Sequence, residues 1–231
     1  MSKNILVTGG TSGIGRAICE RFAAGGFNVI TCARTPNDLE EMKSYWQRHF
    51  PNSFLITHVA DLSIKDSVEN FMSSLEPNSI NILVNNTGVF QAGGVLDSNF
   101  ADLDNQIKTN LYSAYFTTRG VLEIAPKVEH IFNICSIASL SALTGSGIYC
   151  ISKFALYGLS QSLRLELRDQ GIKVTSVLPG ATWSRSWSGA ELAEDRLMPA
   201  VDVAESIWMA YHTSPSTVIE EIILRPQLGD L

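Results

Sequence analysis

The chain has 231 residues, 45% of them apolar and 17% charged, enough to bury a core and too apolar for a disordered segment. A formal charge of −6, with lysines and arginines scattered singly, argues against a protein that grips a nucleic-acid backbone. Cys19, Cys32, Cys135 and Cys150 form no C-x-x-C pair and read as buried small residues in a reducing, cytoplasmic setting, not as disulfides or metal ligands.

Met1-Ser2-Lys3 leads straight into a β-branched run at 4–8 with no cleavable apolar segment, so no secretory signal is expected. That first strand ends in Thr8-Gly9-Gly10-Thr11-Ser12-Gly13-Ile14-Gly15, and an amphipathic pattern follows over 13–25. Glycines at 9, 13 and 15 permit a tight turn and close approach to a pyrophosphate at a helix N-terminus. No Gly-Lys-Ser/Thr follows, which excludes a phosphate loop of the nucleoside-triphosphatase kind.

A second strand at 28–33 closes on Ala33-Arg34. An acid about 20 residues beyond the glycines would accept a ribose hydroxyl. Here a guanidinium stands instead, which suits a phosphate and has no acceptor for a hydroxyl. The expected cofactor is therefore NADP(H); an exposed arginine opening a loop is the plainer alternative.

Further along, 37–49 reads as helix, 54–58 as strand, then Asp61-Leu62 and a helix at 64–75. A strand at 80–85 ends in Asn85-Asn86-Thr87-Gly88, whose glycosylation sequon is idle in a cytosolic chain. A helical stretch at 100–119 contains Asn110, and a strand at 130–136 ends on Ser136. The uncharged stretch 131–152 holds Asn133, five serines and two glycines, too polar for a membrane span.

The helix expected at 148–169 carries Tyr149 and Lys153, one turn apart and so on one face. Leu156, Leu159, Leu163 and Leu167 form a stripe suited either to the sheet or to another subunit. A strand at 172–178, the segment Pro179-Gly180 to Trp187, a helix at 201–212 and a strand at 219–224 complete the chain. His49, His58, His130 and His212 match no motif and are expected at the surface or at edges.

Strands alternating with helices of this length imply crossover units and a parallel sheet covered on both faces. The expectation is one doubly wound α/β domain over 1–231, about seven parallel strands, with ligands beyond the carboxyl ends of the strands.

The ordered set Thr8-Gly9, Gly13-Ile14-Gly15, Asp61-Leu62, Asn85-Asn86-Thr87-Gly88, Asn110, Ser136, Tyr149, Lys153 and Pro179-Gly180 resembles the short-chain dehydrogenase/reductase family from residue 4 to about 184. The resemblance implies a Rossmann domain with Asn110, Ser136, Tyr149 and Lys153 as catalytic tetrad. It further implies that Asp61 and Leu62 face the adenine, and that Asn85, Asn86 and Gly88 shape the cofactor floor. Gly9, Thr11, Ser12, Gly13, Ile14 and Gly15 would hold the pyrophosphate. Tyr149, Lys153, Pro179, Gly180, Thr182 and Ser184 would border the nicotinamide half.

Two departures stand out: Thr87 replaces a usual alanine, and the segment after Gly180 is shorter than in most members, so the substrate lid is reduced. Thr182-Trp183-Ser184-Arg185-Ser186-Trp187 is expected to cover the site, its two tryptophans either stacking on substrate or packing the lid onto the body. Taken singly, Asp61, Asn110 and Ser136 could be caps or turn residues, Tyr149 a packing residue and Lys153 a surface charge.

The implied chemistry is hydride from the cofactor and a proton from the protein. A free phenol titrates near 10, and an adjacent ammonium favours its ionised form. Tyr149 would then act as general acid and base, and Ser136 would donate to the substrate oxygen. Asn110 would support a water relay to Lys153. The expected substrate is a small-molecule carbonyl or alcohol, by analogy a 3-oxoacyl thioester, aldehyde or diketone. A single basic residue, Lys127, is too little to argue for a carrier protein. A homodimer or homotetramer is implied; nucleic acid, membrane and metal are not. The alternative is an NADP(H)-sensing binding protein without catalysis, and no G-x-S-x-G supports a serine hydrolase.

Overall fold

Branched apolar residues build seven strands: β1 (Asn4–Thr8), β2 (Asn28–Ala33), β3 (Leu55–Val59), β4 (Ile82–Asn85), β5 (His130–Ile134), β6 (Lys173–Pro179) and β7 (Glu221–Leu224). The structure is a computed structural model that describes residues 2–184, 187, 193 and 196–230. Among these the strands form one sheet in the order β3-β2-β1-β4-β5-β6-β7, every pairing parallel. Parallel neighbours need crossovers, supplied by α1 (Gly13–Ala24), α2 (Pro36–His49), α3 (Lys65–Ser73), α4 (Phe100–Ile107), α5 (Ser113–Ile124), α6 (Gly147–Leu167) and α7 (Ala200–Tyr211).

Alternation along each strand divides the core between the two faces. Ile5, Val7 and Val29 pack with Phe22, Trp46 and Ile207 on one side. Leu6, Ile30 and Leu83 pack with Phe71, Val121 and Leu167 on the other. The outermost strand β3 departs from the continuous apolar burial of its neighbours, with Ile56 and Val59 exposed. The leucine stripe of α6 serves this molecule's own core: Leu156 and Leu167 are buried, and Leu159 and Leu163 pack against the clusters.

The helix expected at 100–119 runs on to Ile124, and a single π turn, Lys108–Tyr112, separates α4 from α5. A reciprocal cap of Asn99 and Asp102 starts α4. Among the described residues no helix is long and apolar enough to cross a membrane.

His130 contradicts its expected surface position. It is 1% exposed and stacks on Phe132 with ring centres 3.9 Å apart. The reason is topological: as first residue of β5 it is already flanked by Ile82 of β4 and Lys173 of β6. Thr175 Oγ1 gives its proton to the Ile219 carbonyl, so it accepts from His130 Nε2 at 2.8 Å. Nδ1 is buried without a partner among the described residues. Burial, with the charge of Lys173 second, lowers the imidazole pKa to about 3.

Candidate functional site

Between β1 and β4 the strand order reverses direction, and the carboxyl ends of the strands around that point open onto a cavity of about 1010 Å³. It extends from Gly9, Arg34 and Asp61 to Ser136, Tyr149 and Trp187.

Glycine builds the first wall for steric reasons. Gly9 (φ +67°) and Gly13 (φ +54°) adopt left-handed backbone that side chains disfavour. Thr11, Ser12 and Ile14 complete this wall before α1. Gly15 does not line the cavity, contrary to its expected pyrophosphate contact. A Cβ there would lie 2.4 Å from Asn86 Nδ2 and 2.5 Å from the Gly9 carbonyl, so it lets α1 pack against the β1 and β4 loops. The long cavity beside a helix N-terminus, with glycines at the two left-handed positions of its wall, fits a dinucleotide.

At one end Arg34 is exposed on the rim beside Thr35 and Asp38. The strand end lacks an acid, but Asp38 brings a carboxylate to the same rim from the first turn of α2. Asp61 and Leu62 line the neighbouring wall. Asp61 Oδ1 accepts from the backbone and hydroxyl of Ser63 at 3.0 and 2.6 Å, a turn that precedes α3 and is not its cap.

The floor is stitched by side chains. Asn86 Nδ2 donates to the carbonyls of Thr8 and Gly9 at 2.9 and 3.1 Å, while Thr8 Oγ1 accepts from the amides of Asn86 and Thr87. Asn86, Thr87 and Gly88 face the cavity. Asn85, also expected there, points inward: it donates to Thr118 Oγ1 and Asn133 Oδ1, both at 2.8 Å. Its place as last residue of β4 turns it to the opposite face from Asn86.

Ser136, Tyr149 and Lys153 converge on the far end. Ser136 lies two residues beyond β5 in extended backbone, and its Oγ accepts from the Ala138 amide at 3.1 Å, leaving its proton to donate. Lys153 is 5% exposed; its Nζ donates to the Ile134 carbonyl at 2.9 Å and lies 5.8 Å from the Tyr149 ring centre. Ser139 Oγ donates to the Lys153 carbonyl at 2.8 Å and ties the Ser136 turn to α6.

Asn110 is fully buried in the π turn and is not on the cavity wall. Its Oδ1 accepts from the Val89 amide at 2.7 Å; its Nδ2 donates to the Val89 carbonyl at 3.0 Å and to Ser152 Oγ at 2.8 Å. Ser152 Oγ in turn donates to the Tyr149 carbonyl at 2.7 Å. Both side-chain hydrogens are spent, so none is left for the expected water relay; the side chain fixes the loop after β4 and the first turn of α6. A relay would have to use acceptor lone pairs or the backbone.

Pro179, Gly180, Thr182 and Ser184 line the wall after β6. Gly180 donates to the Leu224 carbonyl at 2.8 Å, and Thr182 Oγ1 donates to the Gly180 carbonyl at 2.9 Å. Ser184 crosses to the glycine turn, its Cβ 3.1 Å from where a Gly13 Cβ would stand. Trp187 lines the cavity and Trp183 does not; Arg185 and Ser186 lie outside the described residues.

All four cysteines are free and buried. Burial pushes the cavity-lining thiols of Cys32 and Cys135 up to about 12, which leaves no thiolate nucleophile there. Sequence reasoning missed Val89, Phe90, Ile137 and Leu143 on the wall. The strand-end rule pointed to their loops, but irregular segments carry no periodicity from which a facing direction is read.

Residues 3–194 match the family described as short chain dehydrogenase. A sepiapterin reductase of Chlorobaculum tepidum is 34% identical over 100% of this chain and 99% of its own. A short chain dehydrogenase from Burkholderia cenocepacia, solved in complex with NADP, is 25% identical over 96% of each chain, with a TM-score of 0.84. An alcohol dehydrogenase from Thermococcus sibiricus, solved with 5-hydroxy-NADP, superposes with a TM-score of 0.90 at 20% identity over 100% of this chain and 99% of its own.

Proposed function

The chain belongs to the short-chain dehydrogenase family, and on that premise we propose that it is an NADP(H)-dependent oxidoreductase that interconverts a carbonyl and an alcohol. One observation carries the reading: Ser136, Tyr149 and a buried Lys153 line the same cavity as a glycine turn whose Gly9 and Gly13 adopt left-handed backbone. An inactive sensor has no need of a buried ammonium beside a phenol.

Bound NADP(H) supplies or takes up hydride at the carbon. The protein's own task is the oxygen. Ser136 Oγ–H donates to it and stabilises the negative charge that develops there during reduction. The Tyr149 hydroxyl delivers the proton that completes the alcohol, and accepts it in the oxidative direction. Lys153 keeps a positive charge beside that phenol and reaches the cofactor ribose. Asn110 is a positioning residue for Val89 and, through Ser152, for Tyr149.

Gly9 to Ile14 cradle the pyrophosphate, with Gly15 as a packing residue behind them. Asp61 and Leu62 border the adenine, and Arg34 pairs with a 2′-phosphate. Asn86, Gly88, Pro179, Gly180, Thr182 and Ser184 enclose the nicotinamide half. Relatives solved with NADP support the choice of cofactor.

Residues 1–231 are read as a single domain. Exposed Phe100, Tyr112, Tyr115, Ile151 and Phe154 along α4 to α6 support a homodimer or homotetramer, and four free thiols support a cytoplasmic location.

The test is NADPH consumption by the purified protein against a panel of ketones, aldehydes and diketones, with sepiapterin included because the relative matched over its full length reduces it by name. Turnover with at least one carbonyl is expected. Tight NADPH binding with no turnover across the panel would favour the sensor.

A further inference from the structure

Phe90 stands on the cavity wall with 50% of its surface exposed, and its ring meets that of Tyr149 edge-to-face at 5.0 Å and 80°. Its neighbours on both sides are held by amides that are themselves fully buried. Asn110 clamps the backbone of Val89 through both its amide and its carbonyl. Gln106 Nε2 donates to the Gln91 carbonyl at 3.2 Å, and Gln91 Nε2 reaches Asp102 Oδ1 at 2.7 Å. Gln106 Oε1 is left buried without a partner among the described residues, so this fixation costs free energy.

The loop is also pinned beyond Phe90. Gly93 donates to the Gly145 carbonyl at 2.8 Å, and Val95 packs where a Gly147 Cβ would be, two residues before Tyr149. A loop immobilised at 89, 91, 93 and 95 presents one aromatic ring beside the phenol with little freedom left to lose on binding.

Charge on the described wall is segregated. Arg34, Asp38 and Asp61 lie at the far end, and Lys153 donates to Ile134 and, on the proposed reading, turns its remaining N–H groups to the cofactor ribose. The same cavity is lined by the apolar Val89, Ile137, Ala142 and Leu143 and the uncharged Thr144 and Ser146. Such a surface offers no ion partner to an anionic acid and suits an apolar ring.

We propose that Phe90 is a specificity-determining residue that stacks against a flat, conjugated, uncharged carbonyl compound and aligns its carbonyl with Tyr149. The inference rests on the carbonyl-reductase reading. Phenanthrenequinone and diacetyl form a test pair, since both are vicinal diketones and only the first is an extended planar ring system.

Phe90→Ala is expected to lower the kcat/KM ratio of quinone over diacetyl about tenfold, by raising KM for the quinone, the scale of one lost aromatic contact with its buried area. NADPH affinity should not change. Phe90→Leu retains volume without the ring and serves if the alanine variant does not fold; Phe90→Tyr should restore the ratio. An unchanged ratio, or a loss of kcat equal for both diketones, would overturn the role. Wild-type reduction of diacetyl but not of the quinone would overturn the inference alone, whereas no NADPH consumption with any carbonyl would take the underlying reading with it.

Discussion

Lys153 Nζ donates to the Ile134 carbonyl across 2.9 Å while standing 5.8 Å from the ring centre of Tyr149, one turn earlier on α6. A β5 carbonyl thus anchors the ammonium, and the helix repeat sets its distance from the phenol. Lys153→Met should reduce kcat by at least about 100-fold, the scale of one lost electrostatic contact in a site, and weaken NADPH binding. Lys153→Arg should not rescue turnover, because a planar fork cannot reproduce a point charge held by one carbonyl. Steady-state kinetics with nucleotide-binding titrations would check both.

The proposed pairing of Arg34 with a 2′-phosphate is open to test by substitution. Arg34→Asp should weaken NADPH binding by about tenfold or more, the worth of a charge-assisted bond to phosphate, and should improve NADH. Direct Kd measurement with both nucleotides decides it; an unchanged preference would remove Arg34 from the role and direct attention to the rest of the rim.

Asn110→Ala removes three hydrogen bonds in the interior and strands the Val89 amide. At about 1 kcal/mol each, the expected loss is about 3 kcal/mol of stability, with kcat falling because Tyr149 and Phe90 lose their fixed backing. Denaturant unfolding would measure the first and kinetics the second. Asn110→Asp retains the shape and acceptor but lacks the donors, so it should not restore either.

His130 makes stability depend on pH. Its folded pKa is near 3, below the ordinary value of 6.5, so between these values the unfolded chain binds the extra proton. The contribution is complete above about 6.5 and is lost as pH falls toward 3. At pH 5 this one residue should lower stability by about 2 kcal/mol relative to pH 7. His130→Gln should flatten that part of the profile, whatever its own cost at neutral pH. Equal slopes for the two proteins in urea unfolding at pH 5 and 7 would contradict the assignment.

The sheet was legible because parallel strands buried on both faces write their apolar runs into the sequence without interruption. The Gly9–Gly15 turn and the Tyr149–Lys153 spacing were legible because a left-handed turn and a helix repeat each demand particular residues at particular offsets. His130 was not, since its burial is decided by its strand's two neighbours, which are remote in sequence. Nor was the outward or inward sense of Asn85 against Asn86, which one residue of register reverses. The commitment of Asn110 to Val89 depends on a π turn for which its hydrophobic pattern gives no sign. Phe90 lies in an irregular loop whose direction is set by those same contacts.

Proton delivery by Tyr149 is the claim on which the reading of this cavity depends, and Tyr149→Phe removes one oxygen while leaving the ring that packs against Phe90. Turnover of a carbonyl that the wild type reduces should fall by at least about 1,000-fold, within the range for a lost general acid, with NADPH affinity within about threefold of wild type, well under the effect of one charge-assisted bond. A variant that binds NADPH and still reduces the carbonyl at the wild-type rate would contradict the account.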